Sequence, residues 1–404
     1  MSYDVIIVGA RCAGSPTAML LARKGYKVLV VDKATFPSDT LSTHLIHPPG
    51  VAALNRWGLL DRVVGTNCAP IDTYHFDLGP VKITGAPGTP EMPVAYGPRR
   101  TVLDKILVDA AAESGAEVRE DFSVDEIVTD GGRVTGILGH AKNGSQVAEE
   151  AKVVVGADGR HSSIAEKVKP ESYNDAPAIL AGYYSYFSNL PMDNRFEAYA
   201  GDLCSFAAWP TNDGLTLVVG GWPMTQFEER KKDFESHWTK MTSTHPNFGE
   251  RFRGSKREEK FYGTNVVNYF RKPYGPGWAL VGDAGYNRDF ITAMGIMDSF
   301  LSAELVATAL EQSLSGARPY DEAMSDYQRA RDERVTPIFH FTCQLATCEP
   351  PPPHVQQVFG AIQGNKEASD GFARVNAGVT SPAEFFSESN VGRIFAAAGA
   401  GSNR

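Results

Sequence analysis

Apolar residues along the chain change period several times, and each change marks an element. Tyr3–Val8 (YDVIIV) is a compact run rich in β-branched residues, which predicts a strand buried on both faces. Ala13–Lys24 follows with helical spacing, and Gly25 stands where a C-terminal glycine cap belongs. Pro16 is compatible with that helix because its first turn has free N–H groups. Lys27–Asp32 (KVLVVD) predicts a second buried strand, completing a right-handed βαβ unit. Arg100–Gly115 carries apolar residues at 103, 106, 107 and 110, one face of a helix. Val118 and Val124–Val128 read as strand, turning at Asp130-Gly131-Gly132 into Arg133–Leu138, with another buried strand at Val153–Gly156. From about 178 to 270 the texture becomes alternating and aromatic, which predicts an antiparallel sheet turning at Asp213-Gly214. Ala279–Val281 returns to buried strand, and a helix is expected from about Gly295 to Leu314. Beyond Tyr320 the pattern is helical, broken at Glu349–Pro353, with a capping box at Ser381–Glu384 and a frayed tail from Gly399 to Arg404. The expected class is α/β: a parallel βαβ domain, an inserted antiparallel β-sheet domain and C-terminal helices.

Composition narrows the functions. A chain of 404 residues with 42% hydrophobic residues can bury large cores. Net charge is −9 with no long basic run, which excludes nucleic acid as an expected partner. No apolar stretch is long enough to span a membrane, and the run at Val5–Val8 leaves no room for a signal peptide, so a cytoplasmic protein is expected. Five scattered cysteines form no disulfide framework and no zinc-type CxxC pair. His44 and His47 alone approach a ligand spacing, and no metal is expected there. Nothing in the sequence decides between monomer and homodimer.

The chemistry concentrates at three glycine-acid motifs. Gly9-Ala10-Arg11-Cys12-Ala13-Gly14 lies between the first strand and the first helix, and Asp32 ends the second strand 18 residues beyond Gly14. Gly9 suits the tight turn, Gly14 suits close helix–strand approach, and the helix N-terminus faces a pyrophosphate. Asp32 can accept hydrogen bonds from ribose hydroxyls, with Lys33 beside it, and its charge disfavours a 2′-phosphate. Arg11 occupies the usual middle glycine and can serve as a charged partner on the phosphate side. Downstream stand Gly156-Ala-Asp-Gly-Arg-His-Ser162 and Gly277-Trp-Ala-Leu-Val-Gly-Asp-Ala284, each on a buried strand.

In this order the three motifs resemble the FAD-dependent monooxygenase superfamily, the p-hydroxybenzoate hydroxylase-like flavoproteins, over residues 3 to about 335. The resemblance implies a discontinuous FAD-binding domain (1–75, 98–177, 272–335), a β-sheet substrate domain (76–97, 178–271) and a C-terminal helical region (336–404). It implies that Asp283, after Gly282, binds the ribityl chain and that Gly295-Ile296 aim N–H groups at the flavin N1–C2=O end. Arg100 would contact the cofactor, and Asp158 would belong to a loop serving both FAD and the nicotinamide reductant. His44 and His47 would lie along the flavin ring, where a histidine could act as a general base. Tyr184, Phe206, Trp209 and Trp222 would roof the substrate, with Phe290 and Met294 shaping the wall where it meets the flavin. Which face of the sheet each aromatic takes depends on register.

The implied activity is insertion of one oxygen atom from O2 into an aromatic or other electron-rich small molecule through a flavin C4a-hydroperoxide, with NADH or NADPH as reductant. Two departures matter: Ala165 replaces a family arginine, which affects the nicotinamide site, and Tyr286 and Phe290 replace family histidine and proline positions. A reductase of the geranylgeranyl-reductase type is the alternative, favoured by Ala165 and by the Phe206–Pro210 segment. A halogenase is disfavoured because its WxWxIP motif is absent, and a non-catalytic FAD-binding protein is disfavoured by the intact Gly282-Asp283.

Overall fold

The computed structural model describes residues 2–142 and 144–401. Tyr3–Val8 lies at the centre of an eight-stranded sheet, paired in parallel with Val28–Val31 on one side and with residues 151–156 on the other. Glu117–Arg119 extends the parallel array beyond Val28–Val31, and Trp278–Leu280 extends it beyond residues 151–156. The hairpin Phe122–Asp130/Arg133–Ala141 joins through the first half of Gln146–Gly156.

The central strand reads as unbroken hydrophobe because both of its faces are covered. Val5 and Ile7 pack with Leu21, Leu103, Leu107 and Phe300, from the helices Gly14–Ala22, Arg100–Glu113 and Gly295–Leu314. Ile6 and Val8 pack the other way, with Leu29, Ile137, Ile164 and Leu280. Each such aliphatic side chain removed from water contributes about 1.5–3 kcal/mol.

The second sheet also has eight strands, in the spatial order 256–257, 180–188, 216–223, 204–210, 195–201, 73–77 and 82–85, with 262–265 added on 180–188. It is antiparallel except where Arg195–Gly201 runs parallel to Thr73–Asp77. Register fixes its faces. Tyr184 sits opposite Val219, Tyr186 opposite Leu217, and Trp209 also opposite Leu217, so these side chains share the inner face. Phe206 sits opposite Gly220 and Trp222 opposite Ala181, which turns both to the outer face. That outer face is covered by three helices the alternating pattern did not suggest: Met224–Arg230, Phe234–Ser243 and Pro246–Arg253. Trp222, Trp238, Met241 and Phe248 form the core between them.

The C-terminal helices fold back over the inner face, where Val358, Ile362, Phe372 and Phe385 pack with Tyr74, Phe76, Phe196 and Trp209. The helix Tyr320–Ala346 packs along Gly295–Leu314 and also touches Pro382–Phe385. Ser381 precedes the short helix Pro382–Phe385 without capping it, contrary to the capping-box expectation. A side-chain cap occurs instead at Asn365, which accepts from the Ala368 N–H at 3.1 Å. The expected frayed tail is helical to Gly401, and residues 402–404 lie outside the described residues. Among the described residues no helix is long and apolar enough to cross a membrane.

Candidate cofactor cleft and substrate cavity

The N-terminal turn requires its glycines. A Cβ on Gly14 would lie 1.7 Å from the Gly9 carbonyl oxygen, and one on Gly9, at φ +105°, would lie 2.4 Å from that of Ala157. Helix and strands therefore meet backbone to backbone, and no side chain caps the N-terminus of Gly14–Ala22. Asp32 is held rigidly: its carboxylate accepts from the Ala10 N–H at 2.7 Å and the Ala34 N–H at 2.8 Å. Lys33 beside it is exposed.

Arg11 turns sideways instead of reaching out along the turn. It pairs with Asp104, donates to Ser38 Oγ at 3.0 Å, and lies over the Phe36 ring. Asp104 is fully buried and also accepts from Arg100 Nε at 2.9 Å, with Cys12 Sγ 3.5 Å away. One carboxylate between two guanidinium groups leaves net positive charge beside the helix N-terminus, an arrangement suited to a pyrophosphate. The neighbouring Arg99, which sequence reasoning passed over, lies 4.3 Å above the Tyr186 ring and pairs with Glu259 at 2.7 Å and Asp39 at 3.6 Å. Loop 38–39 is thus fastened by Arg11 on one side and Arg99 on the other.

At the far end of the cleft, Gly282 takes φ +61°, and a Cβ there would lie 2.8 Å from Ala13 Cβ. This close approach brings the first and third motifs together. The Asp283 carboxylate accepts no protein hydrogen bond among the described residues; its backbone carbonyl accepts from Tyr269 at 2.7 Å. Burial and the nearby Asp298 push the Asp283 carboxyl up to about 6, against the pull of Arg100, Arg160 and Arg288. Gly295 opens the 20-residue helix Gly295–Leu314, is exposed, and has open space where a Cβ would be, while Ile296 behind it is buried. Leu41, in the loop before His44, is a large apolar side chain left 43% exposed. A fixed ribose acceptor, a positive turn, a carboxylate lacking donors and an open helix N-terminus fit the successive parts of FAD.

Several residues expected to act directly are occupied by the fold. The Asp158 carboxylate accepts from the Ser163 N–H at 2.7 Å, from the hydroxyls of Ser162 and Ser163 and from the Ile164 N–H, so it is tied into the start of the helix Ser163–Val168. His47 is 1% exposed, with Nδ1 2.7 Å from the Tyr74 hydroxyl and Nε2 3.0 Å from the Thr292 carbonyl oxygen. Burial depresses its pKa to about 4. His44 is wholly buried, at φ +61°, with Nε2 2.5 Å from the Tyr186 hydroxyl and Nδ1 unpartnered. Burial, then Arg100 and Arg99, push its pKa well below the usual histidine value. Both imidazoles are neutral struts in this structure, and neither reaches open space as a general base must.

A second space lies between the inner face of the sheet and the C-terminal helices. The cavity holds about 1430 Å³. Phe196, Ala198, Ala207, Trp209 and Val219 form its sheet wall, and Phe341, Phe359 and Phe372 face them from the helices. Its inner end is the segment Phe290–Ala293, which leads directly into Gly295. Of the six residues named for a substrate pocket, Trp209 and Phe290 lie on the wall of this cavity. The Phe290 ring lies against the Gly182 backbone, where a Cβ would come within 2.1 Å of it. Phe206 borders the cavity, but its ring stacks on Tyr199 toward the outer face, with centroids 4.5 Å apart. Tyr184 is on the inner face yet covered by His44 and Tyr262. Two expectations are corrected: Trp222 belongs to the outer core by register, and Met294 packs with Phe270 and Tyr286 behind the helix start.

These features define a nucleotide-binding α/β protein with a second, largely antiparallel sheet attached. The chain belongs to the FAD binding domain family, whose profile matches residues 2–246. It is 30% identical over 235 residues to Protein FixC of Salmonella typhimurium, covering 53% of this chain and 50% of that one, so it spans about half the length of that relative. It is 28% identical over 338 residues to digeranylgeranylglycerophospholipid reductase 2 of Methanothermobacter thermautotrophicus, covering 81% and 83% of the two chains. A flavoprotein/dehydrogenase structure from Cytophaga hutchinsonii superposes with TM-score 0.83 at 20% identity, over 99% of this chain and 100% of that one.

Proposed function

We propose that this protein is an FAD-dependent monooxygenase that uses NADH or NADPH and O2 to place one oxygen atom on an electron-rich organic molecule. The overall balance is substrate C–H plus O2, NAD(P)H and a proton, giving C–OH, NAD(P)+ and water. Bound FAD supplies hydride acceptance and oxygen activation. The protein's residues would bind and orient. The backbone at Gly9 and Cys12–Gly14 and the charge of Arg11 and Arg100 would take the pyrophosphate, Asp32 the adenosine ribose, and Asp283 the ribityl hydroxyls. The N–H groups at Gly295-Ile296 would face the pyrimidine edge of the flavin.

The observation that carries this reading is the junction at Phe290–Ala293, where the apolar cavity ends against the start of the helix Gly295–Leu314. A ligand in the cavity would there meet the reacting end of the cofactor in a site walled by aromatic side chains, the surroundings in which water is kept from an oxygen-transfer reaction. No protein acid or base is needed for that transfer, in keeping with the burial of His44 and His47.

Reduction of an isoprenoid double bond is the second reading, favoured by the 28% identity to a phospholipid reductase. It is opposed by the cavity wall, which contains no lysine or arginine among the described residues to receive a phosphate. Turnover with phenols, aminoarenes and polycyclic aromatics under 18O-labelled O2 decides. The expected product is heavier by one labelled oxygen; a product heavier by two hydrogens and free of label overturns the proposal.

A further inference from the structure

The cavity specifies the kind of molecule it takes. Pockets that enclose drug-sized ligands measure about 300–1,000 Å³, and this one holds about 1430 Å³. A single substituted ring would leave most of that space unfilled, and an empty apolar space forfeits the dispersion contacts that hold a ligand. The occupant is therefore larger than one ring.

The charge pattern is equally selective. Among the described residues the lining includes Asp202, Glu349 and Glu388 and the exposed His340 and His354, but no lysine and no arginine. A carboxylate or phosphate brought into an apolar site without a cation loses its hydration with nothing to replace it, which weakens binding. Neutral hydrogen-bonding groups are present: Ser205 on the sheet, Thr292 at the inner end, and Gln344 and Asn376 on the helices. The same chain places its arginines in the adjoining cleft, where Arg11 and Arg100 flank Asp104. Positive charge is thus available beside the cavity and kept out of it.

We infer that the cavity binds an uncharged molecule of several fused or linked rings, free in solution, with neutral oxygen or nitrogen substituents. Aromatic acids, prenyl phosphates and substrates held on an acidic carrier protein are excluded as good ligands, since each presents negative charge to a site or rim that lacks cations. This inference rests on the reading of the cavity as the substrate site, but not on which reaction follows.

Equilibrium binding to the FAD-loaded protein, without reductant, tests it. The probes are 1-pyrenemethanol and 1-pyrenecarboxylate, which share one ring system and differ in charge, followed by pyrene fluorescence anisotropy. The neutral probe is expected to saturate one site at least tenfold more tightly than the carboxylate. Ala207→Trp, which fills the sheet wall, should weaken that binding at least tenfold while FAD stays bound; Ala198→Phe on the neighbouring strand reads the same wall if the first variant does not fold. Equal or tighter binding of the carboxylate overturns the inference, as does neutral-probe binding indifferent to the filling substitution. Because no turnover is involved, failure here is separable from failure of the labelled-oxygen experiment, which would overturn the monooxygenase reading instead.

Discussion

The molecule's two compartments meet at residues 290–295 and differ in almost every physical respect. The cleft is built from backbone turns and charged side chains, with Asp32 and Asp104 fastened by donors and Arg11 and Arg100 compensating them. The cavity is built from aromatic and aliphatic side chains on elements far apart in sequence. A dinucleotide presents the same pyrophosphate and ribose groups wherever it is bound, so its cleft depends on a few fixed backbone positions. An apolar ligand is recognised by area, and many residue sets can supply area.

The largest expected effect lies at the backbone approach. Gly14→Val would drive a side chain into the Gly9 carbonyl oxygen, where even a Cβ comes within 1.7 Å. Soluble, FAD-containing protein should be lost, as judged by flavin absorbance of the purified chain. Next is Asp283→Ala, which leaves the fold but removes an acceptor that no donor among the described residues uses. Losing charge-assisted hydrogen bonds of about 1.5–3 kcal/mol should weaken FAD by roughly 10–100-fold in a fluorescence titration. Full retention of FAD would remove Asp283 from the account.

A paired substitution separates the two faces of the sheet. Trp209→Leu and Trp222→Leu should each cost about 2–4 kcal/mol of stability in denaturant unfolding, because both indoles are buried. Only Trp209→Leu should change binding of a cavity ligand, since Trp222 lies in the outer core. Equal effects of both on ligand binding would contradict the register.

The smallest effects are in pH. His47, held neutral with its pKa at about 4 instead of 6.5, favours the unfolded chain once the imidazole protonates there. Its contribution is intact above 6.5 and is lost as pH falls from 6.5 toward 4. Asp289 acts oppositely: burial raises its carboxyl from 3.8 to about 7, so stability is lost as pH rises through that window. In melting temperatures taken between about pH 4.5 and pH 8, His47→Gln should soften the acid side and Asp289→Asn the alkaline side. A shift in the reverse direction for either would refute the burial argument.

Much of the cleft was legible because its determinants are local. Gly9, Gly14 and Asp32 lie within one βαβ unit, and Gly282-Asp283 ends a recognisable buried strand. What escaped is long-range. Arg11 finds its partner 93 residues downstream at Asp104, so its direction could not be read from the turn. Of two adjacent arginines, Arg100 turns into the core with Asp104 while Arg99 crosses to Tyr186 and Glu259. The histidines were expected along the flavin because the resemblance places their loop there, yet Tyr74 and Tyr186 of the second sheet hydrogen-bond them in the interior. Trp209 and Trp222 were indistinguishable until strand pairing set their faces. The C-terminal wall carries no motif because it contributes mainly apolar area.

The claim that the two compartments meet at one reacting point is tested most directly by titrating 1-pyrenemethanol into the FAD-loaded protein while recording the visible absorption band of the flavin. A saturable change in that band, with the same affinity as the anisotropy titration and reduced by Ala207→Trp, is the predicted result. Saturation of the cavity with no change in the flavin band would contradict it.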